Sequence, residues 1–299
     1  DTAAALDRYD DYWGGRAQAS GIDVKFVSDG TARANALRTG DVDIAEALPV
    51  AQVASLDKDT VHEINTTRNS SLFLNTQKGV FTDAGLRAAA REAIDTSAVA
   101  KGVYDGYAEP AKGLFGPALT WAAGKRSEPT GRAKATDPKG KSITIATYDD
   151  RPELPETAQV LQQQLQKAGF KVKLEVRTYA RLESDLLAKK FDAAISTRNM
   201  MLDTGDPVTV LASDYTCDGS YNLSFLCDKK VDKLVADAQA ESDPGKRQDA
   251  AMKAEAAILG TDAVVPLAHL KAIVGIGTSV EGGVLDPYER QLVGTGTRR

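Results

Sequence analysis

At 299 residues the chain has room for about two domains of ordinary size. Its 42% hydrophobic and 26% charged content is that of a globular protein with a buried core, which excludes wholesale disorder. A net charge of −5 argues against a nucleic-acid binder, which carries a basic surplus on one face, and no apolar run approaches the roughly 18–20 residues that span a bilayer.

Residues 22–28 are expected to form a short strand, 32–39 a helix stopped by Gly40, and 41–45 another short strand. This β–α–β rhythm points to an α/β fold. Residues 62–67 and 71–76 form a strand-rich stretch. Residues 83–94 read as a helix, with Asp83 suited to its N-cap and an alanine-rich run behind it. From 122 to 142 Gly, Pro, Lys, Arg and Ser dominate and no apolar periodicity survives, so an exposed connection is expected. No aromatics interleave with its basic residues, as a single-strand nucleic-acid site would require.

The clearest pattern follows. Residues 142–148 alternate through Ile143, Ile145 and Thr147 and read as a strand. Residues 155–168 place Val160, Leu161, Leu165 and Ala168 on one helical face, and Gly169 is a good stop. Phe170, Val172, Leu174 and Val176 then alternate with Lys171, Lys173 and Glu175, the pattern of a half-buried strand. A helix over 179–190 and a strand over 191–196 complete a β–α–β–α–β run, which requires crossover helices and a parallel or mixed sheet. Helices are expected over 231–240 and 247–259, and short strands over 264–267 and 273–274. The Gly/Thr/Arg tail after Val293 is expected to fray.

The usual catalytic signatures do not occur: the sequence has no GxGxxG opening a helix, no phosphate-binding GxxxxGK[ST] loop, no HExxH and no GxSxG. His62 and His269 are the only histidines, and each reads as a structural or exposed imidazole rather than a catalytic base. Cys217 and Cys227 lie in a polar, turn-rich stretch outside any CxxC pair. They read either as two reduced surface thiols or as a disulfide closing a short loop. The disulfide is preferred; it would contribute roughly 2–3 kcal/mol on the loop-entropy model and would imply an oxidising compartment. No metal set and no cofactor are expected.

Several phrases, taken in order, resemble the extracytoplasmic solute-binding proteins of ABC importers, family 5, the peptide and nickel type. They are Asp11-Tyr12-Trp13-Gly14-Gly15; Ala36-Leu37-Arg38-Thr39-Gly40-Asp41-Val42-Asp43-Ile44; Leu72-Phe73-Leu74-Asn75-Thr76 with Phe81-Thr82-Asp83, Arg87 and Ala93-Ile94-Asp95; Phe191-Asp192; Asp206-Pro207; Ser220-Tyr221-Asn222; Val231-Asp232-Lys233-Leu234; Arg247; and Val265-Pro266-Leu267. The resemblance covers about residues 9–275. It implies the two-lobed α/β fold of type II periplasmic binding proteins, with a complete C-terminal lobe over 69–267 and parts of the N-terminal lobe over 1–68 and 268–299. Family members are longer, so the segment before residue 9 is expected to supply most of the first lobe. The implied function is capture of a small solute, foremost a peptide or another amine-bearing molecule, in a cleft between lobes and its delivery to membrane permease subunits. The implied setting is extracytoplasmic, monomeric and lipid-anchored. A nickel or metal-chelate binder of the same family is the alternative, and a cleft hydrolase using paired carboxylates is a further one.

The resemblance also implies ligand contacts. In peptide-binding members an Asp shortly before the Asp-Pro pair meets the ligand's α-amino group, and Asp203 holds that place; a turn residue is the competing reading. Arg198, Asn199, Met200 and Met201 precede it at the end of a strand, where α/β sheets present ligand contacts. The methionines stand where peptide binders often carry Trp; they offer an adaptable apolar wall, or else core packing. Phe73 is a further candidate for the cleft, with core packing as its alternative.

Overall fold

The structure is a computed structural model that describes residues 2–299. In chain order the strands are β1 (Ala3–Asp7), β2 (Gly21–Lys25), β3 (Ile44–Ala45), β4 (Val61–Leu74), β5 (Ala108–Pro110), β6 (Ser142–Tyr148), β7 (Lys171–Arg177), β8 (Ala193–Asn199) and β9 (Val264–Ile276). The α-helices are α1 (Gly30–Thr39), α2 (Val50–Val53), α3 (Ala84–Ala93), α4 (Thr96–Gly102), α5 (Ala122–Lys125), α6 (Glu153–Lys167), α7 (Tyr179–Leu187), α8 (Pro207–Tyr215), α9 (Lys229–Ala240) and α10 (Pro244–Gly260). The chain divides into two units. Unit 1 holds the chain up to Thr66 together with Asp150–Pro152 and Lys271–Arg299; unit 2 holds Thr67–Asp149 and Glu153–Leu270. The sequence puts the corresponding transitions at 68/69 and 267/268.

In unit 1, β1 pairs antiparallel with β2, and β3 pairs antiparallel with the last residues of β9. Helix α1 begins where the Asp29 carboxylate accepts the Ala32 N–H at 2.7 Å. It ends at Gly40, whose φ of 76° suits glycine. The C-terminal tail does not fray as expected. Glu281 and Arg298 exchange backbone hydrogen bonds of 2.9 and 3.0 Å, and buried Thr297 donates its hydroxyl to the Gly282 carbonyl at 2.6 Å.

In unit 2 the strands run in the order β9-β4-β8-β6-β7, with β5 on the other side of β9. Strands β6, β7 and β8 are mutually parallel, whereas β4 runs antiparallel to β8, so the sheet is mixed. Parallel pairing follows from the crossovers through α6 and α7. Helix α6 buries Leu154, Ala158, Leu161 and Leu165 on one stripe, and β6 buries Ile143 and Ile145. Burying a Leu of this kind contributes roughly 1.5–3 kcal/mol.

Two expected pairs of short strands are single long ones. β4 continues through 66–71, where Thr, Arg, Asn and Ser break the apolar alternation. Two of the buried polar side chains there are bonded: Asn69 donates to the Leu114 carbonyl at 2.7 Å, and Ser71 donates to the Asn69 amide oxygen at 3.0 Å. β9 likewise runs unbroken through Ala268 and His269. Helix α8 goes unread in the sequence because six of its nine residues are buried, which erases the polar face that marks a helical period.

Candidate functional site

The carboxyl ends of β6, β7 and β8 fall together on one edge of unit 2. Ligands of α/β sheets gather at such edges. Tyr148 ends β6 and Arg177 ends β7, while Arg198 and Asn199 end β8. The chain then turns through 200–206 into α8. Gly205 takes φ 71°, Asp206 caps α8 by accepting the Val208 N–H at 3.0 Å, and Pro207 occupies the first helical turn. Arg247 clamps this cap: its Nε donates to Asp206 Oδ2 at 3.1 Å, and its Nη1 donates to the Ala238 and Gln239 carbonyls at 2.7 and 2.8 Å.

Arg198 is the centre of the edge. Its Nε donates to Asp214 Oδ2 at 2.8 Å and its Nη2 to Asp214 Oδ1 at 3.3 Å. Nη2 also lies 3.4 Å from Asp203 Oδ2. The guanidinium sits 5.5 Å from the ring centroid of Tyr221. Asp214 is 2% exposed; burial pushes its carboxyl above the usual range, and Arg198 and the Ser213 hydroxyl pull it back. Asp203 is different, with 52% of its side chain open to solvent. The three groups sum to one negative charge, and the exposed part of it is the Asp203 carboxylate.

An aromatic group flanks this centre. The Tyr221 and Tyr179 hydroxyls lie 2.6 Å apart, and Tyr179 donates onward to Glu183 at 2.7 Å. Burial raises both phenols; the bonds to Tyr221 and Glu183 raise Tyr179 further, whereas the bond to Tyr179 pulls Tyr221 partly back. Tyr148 meets Tyr179 edge-on at 5.2 Å between centroids. Its hydroxyl is bonded to Thr197 of β8 at 3.2 Å.

The other residues singled out in the sequence fall as follows. Asn199 is buried, and its amide oxygen accepts from Thr67 Oγ1 at 2.6 Å and from the Met201 N–H at 3.0 Å, so it ties β8 and the turn to β4. Met200 is 0% exposed and Met201 9%; both are packed inside unit 2. Phe73 is also interior, 3% exposed and stacked on Tyr215 at 6.4 Å. The Cys217 and Cys227 sulfurs stand 2.14 Å apart, at bonding distance. Asp214, Tyr148 and Tyr179 escape sequence reasoning. Tyr148 could have been marked by its place at the end of an alternating strand and Tyr179 by its place at the start of the helix that follows one, but Asp214 carries no local signal. Among the described residues no cluster of His, Cys, Asp and Glu is arranged to hold a metal ion.

Residues 1–222 match the family described as bacterial extracellular solute-binding proteins, family 5 Middle. The chain is 28% identical over 300 residues to the probable D,D-dipeptide-binding periplasmic protein DdpA of Escherichia coli K12, covering 96% of this chain and 58% of that protein. It is 27% identical to the probable di/tripeptide-binding protein 5 of Pseudomonas aeruginosa, covering 94% and 56%. Among solved structures, NikA from Staphylococcus aureus in complex with Ni(L-His)2 superposes with a TM-score of 0.84 at 23% identity, covering 99% of this chain and 66% of that one. A dipeptide binding protein from Pseudoalteromonas sp. SM9913 in complex with Met-Leu gives 0.84 at 21% identity, covering 100% and 62%. These two likenesses bear out the expected α/β binding-protein fold. The chain spans a little over half the length of the two curated relatives.

Proposed function

The chain belongs to the bacterial extracellular solute-binding proteins of family 5, and we propose that it acts in the substrate-binding component of an ABC importer, capturing a peptide or a similar amine-bearing solute. The observation that carries this reading is Asp203. It is a half-open carboxylate at the strand edge, and its cationic neighbour Arg198 is already engaged by buried Asp214. A charged ammonium would give Asp203 a cation of its own beside the shared Arg198, and a charge-assisted hydrogen bond of this kind contributes about 1.5–3 kcal/mol. The peptide and dipeptide relatives support the same ligand class.

In this reading residues 69–267 form the second lobe, and 1–68 and 268–299 belong to the first. Binding works by a shift between open and closed forms, and the closed form is what membrane permease subunits engage. The protein works outside the cytoplasm as a monomer, tethered by a lipid, and Cys217 and Cys227 form a disulfide suited to that compartment. Arg198 serves chiefly to set Asp203, while Asn199, Met200, Met201 and Phe73 support the edge from within.

A nickel chelate is the second reading, favoured by the likeness to the Staphylococcus protein held with Ni(L-His)2. Thermal melts of the chain against a panel of free dipeptides and against nickel with histidine separate the two. A rise in midpoint with dipeptides alone supports the peptide reading, and a rise with nickel–histidine alone replaces it.

A further inference from the structure

We infer that Tyr221, held in place by a Cys217–Cys227 disulfide, is a positioning residue for this edge: the closed loop keeps the Tyr221 ring on the Arg198 guanidinium and thereby keeps Arg198 between Asp214 and Asp203. The inference rests on the reading of this edge as the ligand-facing one.

The two cysteines are ten residues apart in sequence, and Tyr221 lies between them. It reaches the edge through its ring, 5.5 Å from Arg198, and through its hydroxyl, 2.6 Å from that of Tyr179. The neck of the loop is closed twice at one place. Asn222 Nδ2 donates to the Thr216 carbonyl at 2.9 Å and to the Leu226 carbonyl at 2.8 Å, the residues immediately before the two cysteines. The sulfurs meet beside them. Inside the loop, the Tyr221 N–H donates to the Ser213 carbonyl of α8 at 3.0 Å. Asp214, the buried partner of Arg198, is the next residue along α8.

An arginine side chain has many rotamers, and holding one of them has an entropic cost. Arg198 faces two carboxylates of unequal pull, one buried and one half in water. The Tyr221 ring covers the guanidinium and favours the bridging rotamer through its π-face. Losing the ring frees Arg198 to swing, and Asp203 loses its fixed place.

The sulfurs are within reach of a reductant. Cys227 is exposed, and Cys217 lines a cavity of about 310 Å³ with Gly219, Ser220 and Asn222. A small dithiol such as dithiothreitol attacks the Cys227 sulfur as its thiolate. The Cys217 sulfur leaves as a thiolate 3.7 Å from Lys229 Nζ. The second thiol of the reagent then displaces Cys227. The reagent gives up two electrons and two protons to become a cyclic disulfide, and the protein gains two thiols.

The test is amide hydrogen exchange, read by mass, on the full chain in four forms: untreated, dithiothreitol-reduced, Tyr221→Ala and Tyr221→Phe. Dipeptide binding is measured on each form. The untreated protein should show no alkylatable thiol. Reduction should speed exchange over 198–203 and 213–222 by about tenfold or more while β6 and β7 stay protected. Tyr221→Ala should reproduce the change over 198–203 with the sulfurs still joined. Tyr221→Phe, which keeps the ring, should not. Free thiols in the untreated protein, unchanged exchange over 198–203 on reduction or in Tyr221→Ala, or equal loss of protection in β6 and β7 would each overturn the inference. If untreated protein binds no dipeptide while the exchange pattern appears as expected, the peptide reading fails and the positioning role stands.

Discussion

Arg198 grips the buried carboxylate of Asp214 by two nitrogens, at 2.8 and 3.3 Å, and extends one of them to within 3.4 Å of the open carboxylate of Asp203. One guanidinium thus joins a buried charge to a half-exposed one. Replacing it with an apolar side chain leaves Asp214 buried without its counter-charge, which costs about 3–5 kcal/mol. Arg198→Met should therefore lower the urea midpoint strongly at neutral pH, and the double change Arg198→Met with Asp214→Leu should recover most of the loss. A small effect from the single change would show that water or another group satisfies Asp214.

Met200 and Phe73 test whether sequence candidates for ligand contact are instead core residues. Both are buried, Met200 at 0% exposure and Phe73 at 3%. Met200→Ala should destabilise by about 2–5 kcal/mol and Phe73→Ala by about 3–5 kcal/mol, read from chemical denaturation. Methionine-to-leucine at 200 preserves volume and should cost under about 1.5 kcal/mol. If Met200→Ala instead leaves stability intact and abolishes binding, the residue faces ligand.

His269 gives a pH dependence. Burial in β9, with the positive charge of Arg126 adding to it, lowers the imidazole from 6.5 to about 4. The unfolded chain takes up a proton near 6.5 and the folded chain does not. Folded stability therefore falls as pH drops through 6.5 and levels off below about 4, and is retained in full above 6.5. The total is roughly 3 kcal/mol. The difference in stability between the natural chain and His269→Gln, followed from pH 7.5 to 4, isolates this contribution from the carboxylates that titrate nearby. A difference that does not change with pH contradicts the buried neutral imidazole.

Much of the scaffold was legible because its signals are local. The alternation of Ile143, Ile145 and Thr147 marks β6, and Asp83 caps α3 through the Gly85 and Leu86 N–H groups. The phrases that carry the family resemblance prove to hold backbone. Arg87 donates to the Phe81 and Thr261 carbonyls at 2.9 Å each, and Asn75 accepts from the Gln77 and Lys78 N–H groups at 3.1 and 3.0 Å. Asp192 accepts the Thr144 N–H at 2.8 Å. Such residues announce the fold and say little about the ligand. The site was only partly legible. Asp203 stands out beside its Asp-Pro turn, but Tyr148, Tyr179, Asp214 and Tyr221 come from four separate segments. The parallel strands and the helices that follow them bring Tyr148 and Tyr179 to Arg198, and the loop after α8 folds Tyr221 back onto Ser213 beside Asp214, which no motif in the chain announces.

The most direct test of the central claim is a calorimetric cycle on Asp203. A free dipeptide and its N-acetylated form are titrated into the natural chain and into Asp203→Asn. The side chain is half open, so the substitution should leave the melting midpoint nearly unchanged. The free dipeptide should bind the natural chain about 10–100-fold more tightly than the acetylated one, and Asp203→Asn should erase most of that ratio. Equal binding of the two dipeptides by the natural chain, or a ratio that survives in Asp203→Asn, would contradict the assignment of this carboxylate to a ligand ammonium.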